Sequence, residues 1–261
     1  MTELMTTQQP TSFNVLLIGD SCVDEYKIGT VDRLSPEAPV PVVKIVDSYS
    51  LPGMAANVNL NLKNLGIYAD FVTNNEQIIK TRYIDKRSGQ HLIRVDNDVE
   101  VCQWSTRLPF PLHGYDAIVI SDYDKGFLTY DLIRYIVEMS TGPVFIDTKK
   151  KDLEFFGESD RVYVKINDLE SRLATSKPTN LIVTSGADGA SYNGKTFPTK
   201  QVEVTDVCGC GDTFLAALSA QFLFTKDIEK AIIFANIAAG ITVQHRGNYA
   251  PSYDEIRHAG Y

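Results

Sequence analysis

The amino-acid sequence predicts an α/β protein whose mostly parallel central sheet carries helices on both faces. Short apolar runs that are typical of buried strands alternate with helical patterns along the chain, as they do in βαβ units. The 261 residues are 44% apolar and 22% charged, which is enough apolar material for one large domain. More polar strand patterns near residues 39–46 and 80–95 predict a small sheet attached to this domain.

The N-terminal segment differs in composition from the rest of the chain. Residues 1–12 are polar, rich in Thr and Gln, and lack the basic and apolar parts of a signal peptide. We therefore expect a disordered tail over residues 1–12, a single domain over residues 13–261 and a cytoplasmic location.

In the first half of the domain, each predicted element follows from a local pattern. An apolar run between polar turn residues predicts a buried strand at residues 15–18. The β-branched run at residues 39–46 begins with prolines, which confine it to a sheet edge. Apolar side chains at helical spacing predict a helix at residues 54–65. Two polar, weakly alternating segments at residues 81–84 and 91–95 predict a pair of exposed strands joined by a turn.

In the second half, short apolar runs again alternate with a helical pattern. Buried strands are predicted at residues 115–121, 143–147, 162–166 and 181–185, with a helix at residues 128–139. A β-prone run at residues 201–204 leads into a glycine-rich turn, and the apolar spacing beyond that turn predicts a further helix.

The composition limits the kinds of partner. The net charge of −8 and the pI near 5.0 argue against binding to nucleic acid or to an anionic membrane surface through bulk charge. The sequence contains no apolar run approaching 18 residues, so we expect no membrane span. A phosphorylated ligand must therefore be held by local hydrogen-bond donors.

The glycine-rich turn at residues 204–214 is the feature most informative about function. Gly209 and Gly211 let successive N–H groups face one point, and the following helix adds its positive N-terminal end, so the turn predicts a phosphate pocket. Asp212 would repel a phosphate unless it lies beside it to accept a proton from an attacking hydroxyl, which indicates phosphoryl transfer to an alcohol. Alternatively, Asp212 only caps the helix. A dinucleotide site is disfavoured because Phe214 replaces the third glycine of that fingerprint.

A second phosphate motif competes with this turn. Residues 189–196 match the P-loop pattern G-x-x-x-x-G-K-T letter for letter, but a P-loop requires a strand before it and a helix after it. Asn193 and Gly194 instead favour a two-residue hairpin turn, and Pro198 follows without any helical pattern. We therefore predict a β-hairpin here.

Several segments resemble the ribokinase-like (PfkB-type) sugar kinases. Residues 206–212 resemble the signature D-T-x-G-A-G-D, and residues 51–58 resemble the run P-G-G-A-A-N-V that opens the first large helix of these kinases. Within the family, the S-P-E-A-P-V-P-V run at residues 35–42 and the segment at residues 121–126 are similar to kinases that phosphorylate the anomeric hydroxyl of heptose 7-phosphate. The resemblance covers roughly residues 13–250 and implies a ribokinase-like fold.

The resemblance implies a kinase that uses ATP and Mg²⁺, and it assigns roles to the matching residues. Asp212 is the general base, and the N–H groups of Gly209, Cys210 and Gly211 face the transferring phosphoryl group. Nucleotide roles fall on Asn167, Thr184, Ser185, Gly186 and Asn236, a water-mediated Mg²⁺ role on Glu170, and sugar roles on Asp24, Gly53 and Asn57. Because arginine suits phosphate binding, the candidates for the 7-phosphate are Arg33, Arg82 and Arg94, together with Lys125.

The sequence departs from the family pattern in ways that leave alternatives open. Val207 replaces the threonine of the signature, Met54 replaces the second glycine of the early motif, and the chain is short for the family. A related kinase of another sugar, or a sugar-phosphate or nucleotide-binding protein that has lost turnover, therefore remains an alternative. The resemblance also implies that the strands near residues 39–46 and 80–95 form a lid over the sugar and support a homodimer.

Overall fold

A computed structural model of the protein describes residues 13–105, 108, 110–156 and 159–260. The predicted tail at residues 1–12 lies outside this part of the chain. Within it, no helix is both long enough and apolar enough to cross a membrane.

Strands and helices alternate along most of the described chain. The strands are β1 (Val15–Gly19), β2 (Ser21–Leu34), β3 (Pro41–Met54), β4 (Ala69–Thr73), β5 (Ile78–Asp85), β6 (His91–Asn97), β7 (Ala117–Asp122), β8 (Val144–Thr148), β9 (Val162–Asn167), β10 (Leu181–Thr184), β11 (Ala190–Tyr192) and β12 (Lys195–Phe197). The helices are α1 (Ala55–Asn64), α2 (Tyr130–Met139), α3 (Asp168–Leu173), α4 (Cys210–Thr225), α5 (Ile228–Thr242) and α6 (Tyr253–His258).

The large sheet has eight strands in the order β12-β11-β10-β9-β8-β7-β1-β4. The six strands from β10 to β4 pair in parallel, and only the β11–β12 hairpin runs antiparallel to its neighbours. The carboxyl ends of the parallel strands therefore meet at one edge, which is where open α/β sheets bind their ligands.

Helices cover both faces of this sheet, as predicted. Successive side chains of a strand point to opposite faces, so Leu17 packs with the cluster beneath α1, α4 and α5, whereas Leu16 and Ile18 pack with the cluster beneath α2. Both clusters are closed to solvent, and their burial fixes the strands that carry the polar residues of the edge.

The smaller sheet has four strands in the order β3-β2-β5-β6. The predicted edge position of β3 and the predicted pair of strands β5 and β6 are confirmed. The 14-residue strand β2 was not predicted, because its many charged and polar residues mask a regular alternation of buried and half-buried positions. It pairs with both β3 and β5 and is the centre of the small sheet.

Two predictions about loops have different outcomes. The P-loop look-alike is the β11–β12 hairpin, in which Asn193 and Gly194 both have positive φ, as a two-residue hairpin turn requires. The predicted strand at residues 201–204 is wrong. This segment pairs with no strand in the described part of the chain, and Gln201, Val202 and Val204 instead line a cavity.

Candidate active site

The glycine-rich turn forms the N-terminus of α4. Gly209 precedes the helix with φ of +75°, a left-handed conformation that favours glycine, and no side chain caps the helix. Among the described residues, the Cys210 N–H makes one long hydrogen bond of 3.5 Å to the Val207 carbonyl and no acceptor is found for the Gly211 N–H, so this end of α4 can bind an anion. Asp212 is the third residue of the helix and not its N-cap, so the alternative that it only caps the helix is wrong.

Asp212 is held by two hydrogen bonds from distant parts of the chain. Asn57, at the start of α1, donates its side-chain amide to Oδ2 at 3.0 Å, and the Tyr123 hydroxyl, after β7, donates to Oδ1 at 2.8 Å. Burial raises the pKa of Asp212 from 3.8 to about 6, and the two hydrogen bonds oppose that rise because they favour the charged form. The carboxylate is therefore oriented and able to exchange a proton near neutral pH.

A buried ion pair lies beneath the same turn. Lys165 of β9 and Asp147 of β8 are neighbours in the parallel register, and Lys165 Nζ lies 2.8 Å from Asp147 Oδ2. A Cβ added at Gly211 would lie only 3.0 Å from Lys165 Nζ. The ammonium group is thus next to the backbone of the anion-binding turn.

A cavity of about 250 Å³ opens beside the turn, between the β10–β11 loop, residues 199–204 and α5. Cys210 and Gly211 line it on the side of the turn, and the predicted nucleotide residues Thr184, Gly186 and Asn236 line it elsewhere. Most of its wall is apolar, as suits a flat aromatic base. The mostly apolar cavity is therefore continuous with the N-terminus of α4.

Two of the predicted nucleotide residues make local contacts. The Asn236 side-chain amide donates to the Phe197 carbonyl at 2.7 Å while it lines the cavity. Ser185 donates its hydroxyl to Asp168 at 2.9 Å and is absent from the cavity wall. Sequence reasoning thus grouped Ser185 with its neighbours Thr184 and Gly186, although its side chain points to α3.

Asn167 and Glu170 form a capping box at the start of α3. Each side chain accepts a hydrogen bond from the backbone N–H of the other residue, at 2.9 and 2.8 Å. The second oxygen of Glu170 pairs with Lys149, whose ammonium also lies over the Tyr123 ring. Glu170, the predicted magnesium residue, is therefore held in one orientation by the capping box of α3 and by Lys149, at the carboxyl end of β8.

The predicted sugar residues meet between the small sheet and the turn. Asp24 of β2 pairs with Arg82 of β5 and accepts a hydrogen bond of 2.7 Å from the amide of Asn248. Gly53 packs so closely on the Asp24 carboxylate that a Cβ there would collide with it. Asn57 contacts Asp212 directly. A Cβ at Gly209 would lie 2.7 Å from Asn57 Nδ2 and 2.9 Å from Asn248 Oδ1, so the amides that bond to Asp212 and to Asp24 both border the turn.

Two of the four candidates for the 7-phosphate are direct register partners, Arg82 on β5 and Arg94 on β6, but the four differ in burial and contacts. Arg82 is buried against Asp24 and the Tyr26 ring. Arg94 pairs with Asp96 on β6, Lys125 pairs with Asp98, and Arg33 is exposed near the end of β2. The structure therefore separates a buried arginine that holds Asp24 from three more accessible cations.

Sequence reasoning missed four residues of this site: Tyr123, Asp147, Lys165 and Asn248. Tyr123 lies inside the segment at residues 121–126 that carried the resemblance, so its position was available although its role was not. Lys165 precedes Asn167 by two residues in a strand and therefore shares its face. No sequence signal indicated Asn248.

The Met54 side chain does not enter the sugar site. It is buried in the apolar cluster with Leu16, Ile18 and Ile78. Its backbone has φ of +57°, which is a strained conformation for any residue other than glycine. The replacement of glycine by Met54 therefore strains the backbone at the start of α1, but it does not place a side chain in the sugar site.

Together, the fold and the site define a ribokinase-like kinase, an enzyme class that transfers a phosphoryl group to an alcohol. A model of the pfkB family of carbohydrate kinases matches residues 131–255. The bifunctional protein HldE of Aliivibrio salmonicida is 31% identical over 301 aligned positions, which cover 94% of this chain and 63% of that protein. The chain therefore contains a PfkB carbohydrate kinase domain, and it spans less than two thirds of the length of the curated relatives that it matches.

Solved structures agree on the fold. Ribokinase from Thermotoga maritima superimposes with a TM-score of 0.72 at 17% identity, covering 95% of this chain and 99% of that chain. Arabidopsis thaliana ribokinase, solved with ribose and ATP, gives a TM-score of 0.70 at 16% identity and covers 95% and 98% of the two chains. The ribokinase-like prediction is therefore confirmed.

Proposed function

We propose that this protein uses ATP to phosphorylate the anomeric hydroxyl of a heptose 7-phosphate, giving the 1,7-bisphosphate for ADP-heptose synthesis in the cytoplasm. The observation that carries the kinase reaction is the buried Asp212 carboxylate, held at the N-terminus of α4 beside an apolar cavity. The choice of sugar is supported by the motif at residues 35–42 and by the similarity to HldE over 94% of the chain.

Asp212 removes the proton from the attacking hydroxyl in this mechanism. As the O–H bond breaks, the sugar oxygen forms a bond to the γ-phosphorus of ATP, the bond to the β–γ bridging oxygen breaks, and ADP leaves. The N–H groups of Gly209, Cys210 and Gly211 stabilise the negative charge on the phosphoryl oxygens. Asn57 and Tyr123 keep the two oxygens of Asp212 in fixed positions throughout.

Magnesium, when bound with ATP, would neutralise charge on the nucleotide phosphates. No cluster of three or more His, Cys, Asp or Glu side chains suited to a metal ion occurs in the described part of the chain. The protein would therefore contribute few ligands, with phosphate oxygens and water completing the shell, as Mg²⁺ prefers. Glu170, fixed by its capping box and Lys149, fits a water-mediated contact.

The sugar would bind against Asp24, Gly53 and Asn57, between the small sheet and α4. Arg82 pairs with Asp24, and because Gly53 has no Cβ, the Asp24 carboxylate can pack directly against the β3 backbone. Two cations, Arg94 and Lys125, would attract the 7-phosphate, each leaving or sharing its present carboxylate partner. Arg33 lies about 30 Å along β2 from Asp24, too far to contact a sugar bound there.

We further propose that the small sheet is a lid and that two lids pair in a homodimer. The lid would exclude water during transfer and so suppress hydrolysis of ATP. Exposed apolar side chains on the two edge strands, including Ile45 and Tyr49 of β3 and Ile93 of β6, offer a surface that pairing would cover. Size-exclusion chromatography with light scattering at micromolar concentration should give a dimer, and a monomer would refute the pairing.

The deciding experiment is mass-spectrometric detection of product from ATP, Mg²⁺ and a panel of sugars. The panel contains heptose 7-phosphate, sedoheptulose 7-phosphate, fructose 6-phosphate, fructose and ribose. A bisphosphate formed only from heptose 7-phosphate is the expected result. Product from another member would identify a related kinase of that sugar.

A binding protein without turnover is a second candidate, favoured by one observation. The Met54 backbone has φ of +57°, a strained conformation, three residues before Asn57, so a shift of α1 that relieved the strain would move the amide that orients Asp212. Measurable binding of a sugar phosphate with no product from any member of the panel would support this candidate.

A further inference from the structure

The buried pair Lys165–Asp147 is the strongest feature of the site that the proposed mechanism does not use. Both side chains are almost fully buried, at 4% and 3% exposure. Asp147 Oδ2 is the single acceptor found for the Lys165 ammonium among the described residues, so two of its three N–H groups lack one. The other oxygen, Asp147 Oδ1, is buried without any partner in the same part of the chain.

A pair that served only to stabilise the fold would be expected to satisfy its own hydrogen bonds. Buried polar atoms are nearly always paired, and those that are not are concentrated at functional sites. Here one buried carboxylate oxygen and two ammonium hydrogens are unpaired among the described residues, in the carboxyl half of β8 and β9. The pair therefore has bonding capacity that a ligand with both donors and acceptors, such as a hydrated phosphate, can use.

The position of the ammonium points to a particular ligand. A Cβ at Gly211 would lie 3.0 Å from Lys165 Nζ and 3.8 Å from Asp147 Oδ2, so the ammonium is the nearer of the two charges to the positive N-terminal end of α4, where anions bind. Asp147 raises the pKa of Asp212 and Lys165 lowers it, so both charges of the pair lie near the candidate base. An anion bound at the N-terminus of α4 beside Gly211 would contact the backbone of the glycine-rich turn, the Lys165 ammonium and the attacking hydroxyl of the sugar.

We propose that Lys165 is a catalytic residue that binds the phosphoryl group in transfer, and that Asp147 is a positioning residue that holds its ammonium beside Gly211. Lys165 stays protonated and forms no covalent bond. It neutralises charge that builds up on the phosphoryl oxygens, in addition to the N–H groups of the turn. The inference rests on the proposed kinase reaction but not on the identity of the sugar.

The test compares nucleotides that differ by one phosphate. Isothermal titration calorimetry with Mg²⁺ gives the Kd of ADP and of a non-hydrolysable ATP analogue for the wild type and for Lys165→Met. Loss of the γ-phosphate contact should weaken binding of the analogue at least about tenfold and that of ADP by less than about threefold. An equal change for both nucleotides, or none, would overturn the inference.

Two further variants separate this contact from folding. The double variant Asp147→Asn with Lys165→Met removes both charges, so no unpaired charge stays buried, and it should show the same selective loss. Lys150→Met is the matched control, because that ammonium is equally buried but pairs with Asp122 and Asp124, away from Gly211. The ratio of the two Kd values should be unchanged in this control. A selective loss there would also overturn the inference.

The outcomes distinguish this inference from the proposed function. A wild type that binds neither nucleotide would overturn both. Nucleotide binding without a selective loss in Lys165→Met would overturn this inference alone. Selective loss together with inactivity towards every sugar would support the contact and refute the proposed substrate. With an active sugar, Lys165→Met should also lower kcat by about 10²–10³-fold, as loss of an anion-stabilising donor does.

Discussion

Replacement of Tyr123 by phenylalanine should shift the pH dependence of turnover to higher pH. The pKa of Asp212 is raised to about 6, mainly by burial, and the hydrogen bond from Tyr123 is one of the contacts that keep it from rising further. A general base acts in its deprotonated form. Turnover by the wild type should therefore rise with pH through about 6, level off above about 7, and fall about tenfold per unit on the acidic side.

The size of the shift follows from the strength of the lost bond. A hydrogen bond to a charged group contributes about 1.5–3 kcal/mol, and one pKa unit corresponds to about 1.4 kcal/mol. Because the bond at 2.8 Å favours the charged carboxylate, its removal should raise the pKa of Asp212 by about 1–2 units. The midpoint of the profile should move from about 6 to about 7–8.

The assay follows ADP release from pH 5 to 9 with saturating ATP and the sugar identified by the panel. Tyr163→Phe is the control, since that buried ring stacks on Phe145 and has no contact with Asp212. Its profile should match that of the wild type. If Tyr123→Phe keeps the wild-type midpoint while it stays folded and active, the hydrogen bond from Tyr123 does not lower the pKa of the catalytic base, and the predicted shift is refuted.

Three other variants test separate parts of the site. Asp212→Asn should retain ATP binding but lose turnover by several orders of magnitude. Its free energy of unfolding at neutral pH should also exceed that of the wild type by up to about 3 kcal/mol, because the raised pKa of Asp212 means that ionisation of this buried acid opposes folding. This gain should shrink as the pH falls through about 6, so thermal or urea unfolding at pH 8 and pH 4 checks the sign, and near-wild-type turnover would exclude Asp212 as the base. Gly53→Ala places a methyl group against the Asp24 carboxylate, so calorimetry should show at least about tenfold weaker sugar binding with ATP binding unchanged; equal affinity would remove Asp24 from the sugar site. Gly240→Leu fills part of the cavity beside α5 and should raise the Kd of ATP at least about tenfold without affecting the sugar, whereas unchanged ATP binding would mean that the base lies elsewhere.

Most of the large sheet could be predicted because its signals are local. Buried parallel strands are short apolar runs, and β1, β7, β8, β9 and β10 all have this pattern. The short strand β4 was missed, since its five residues include Asp70 and are only half-buried at the sheet edge. The strand β2 was missed for a related reason. Its charged residues are tolerated because they pair across the small sheet, as Asp24 does with Arg82.

The site could be predicted only where the chain itself brings groups together. The turn from Gly209 to Asp212 is one continuous segment, so its anion-binding backbone and its carboxylate could be recognised without a structure. The contacts of Ser185 and the separation of the 7-phosphate candidates could not be recognised in this way. Side-chain direction depends on the packing of neighbouring elements, which a local pattern does not contain.

The sequence alone thus determined the α/β class, the hairpin at residues 189–196 and the location of the base in a phosphate-binding turn, because each depends on residues adjacent in the chain. The tertiary structure decided what surrounds the base. Asn57 and Tyr123 reach Asp212 across 155 and 89 residues, and Lys165 reaches Gly211 from a strand in the middle of the sheet. Strand order and register bring these groups to one edge, and burial there raises the pKa of Asp212. Both are properties of the assembled sheet, so no single segment of the chain encodes them.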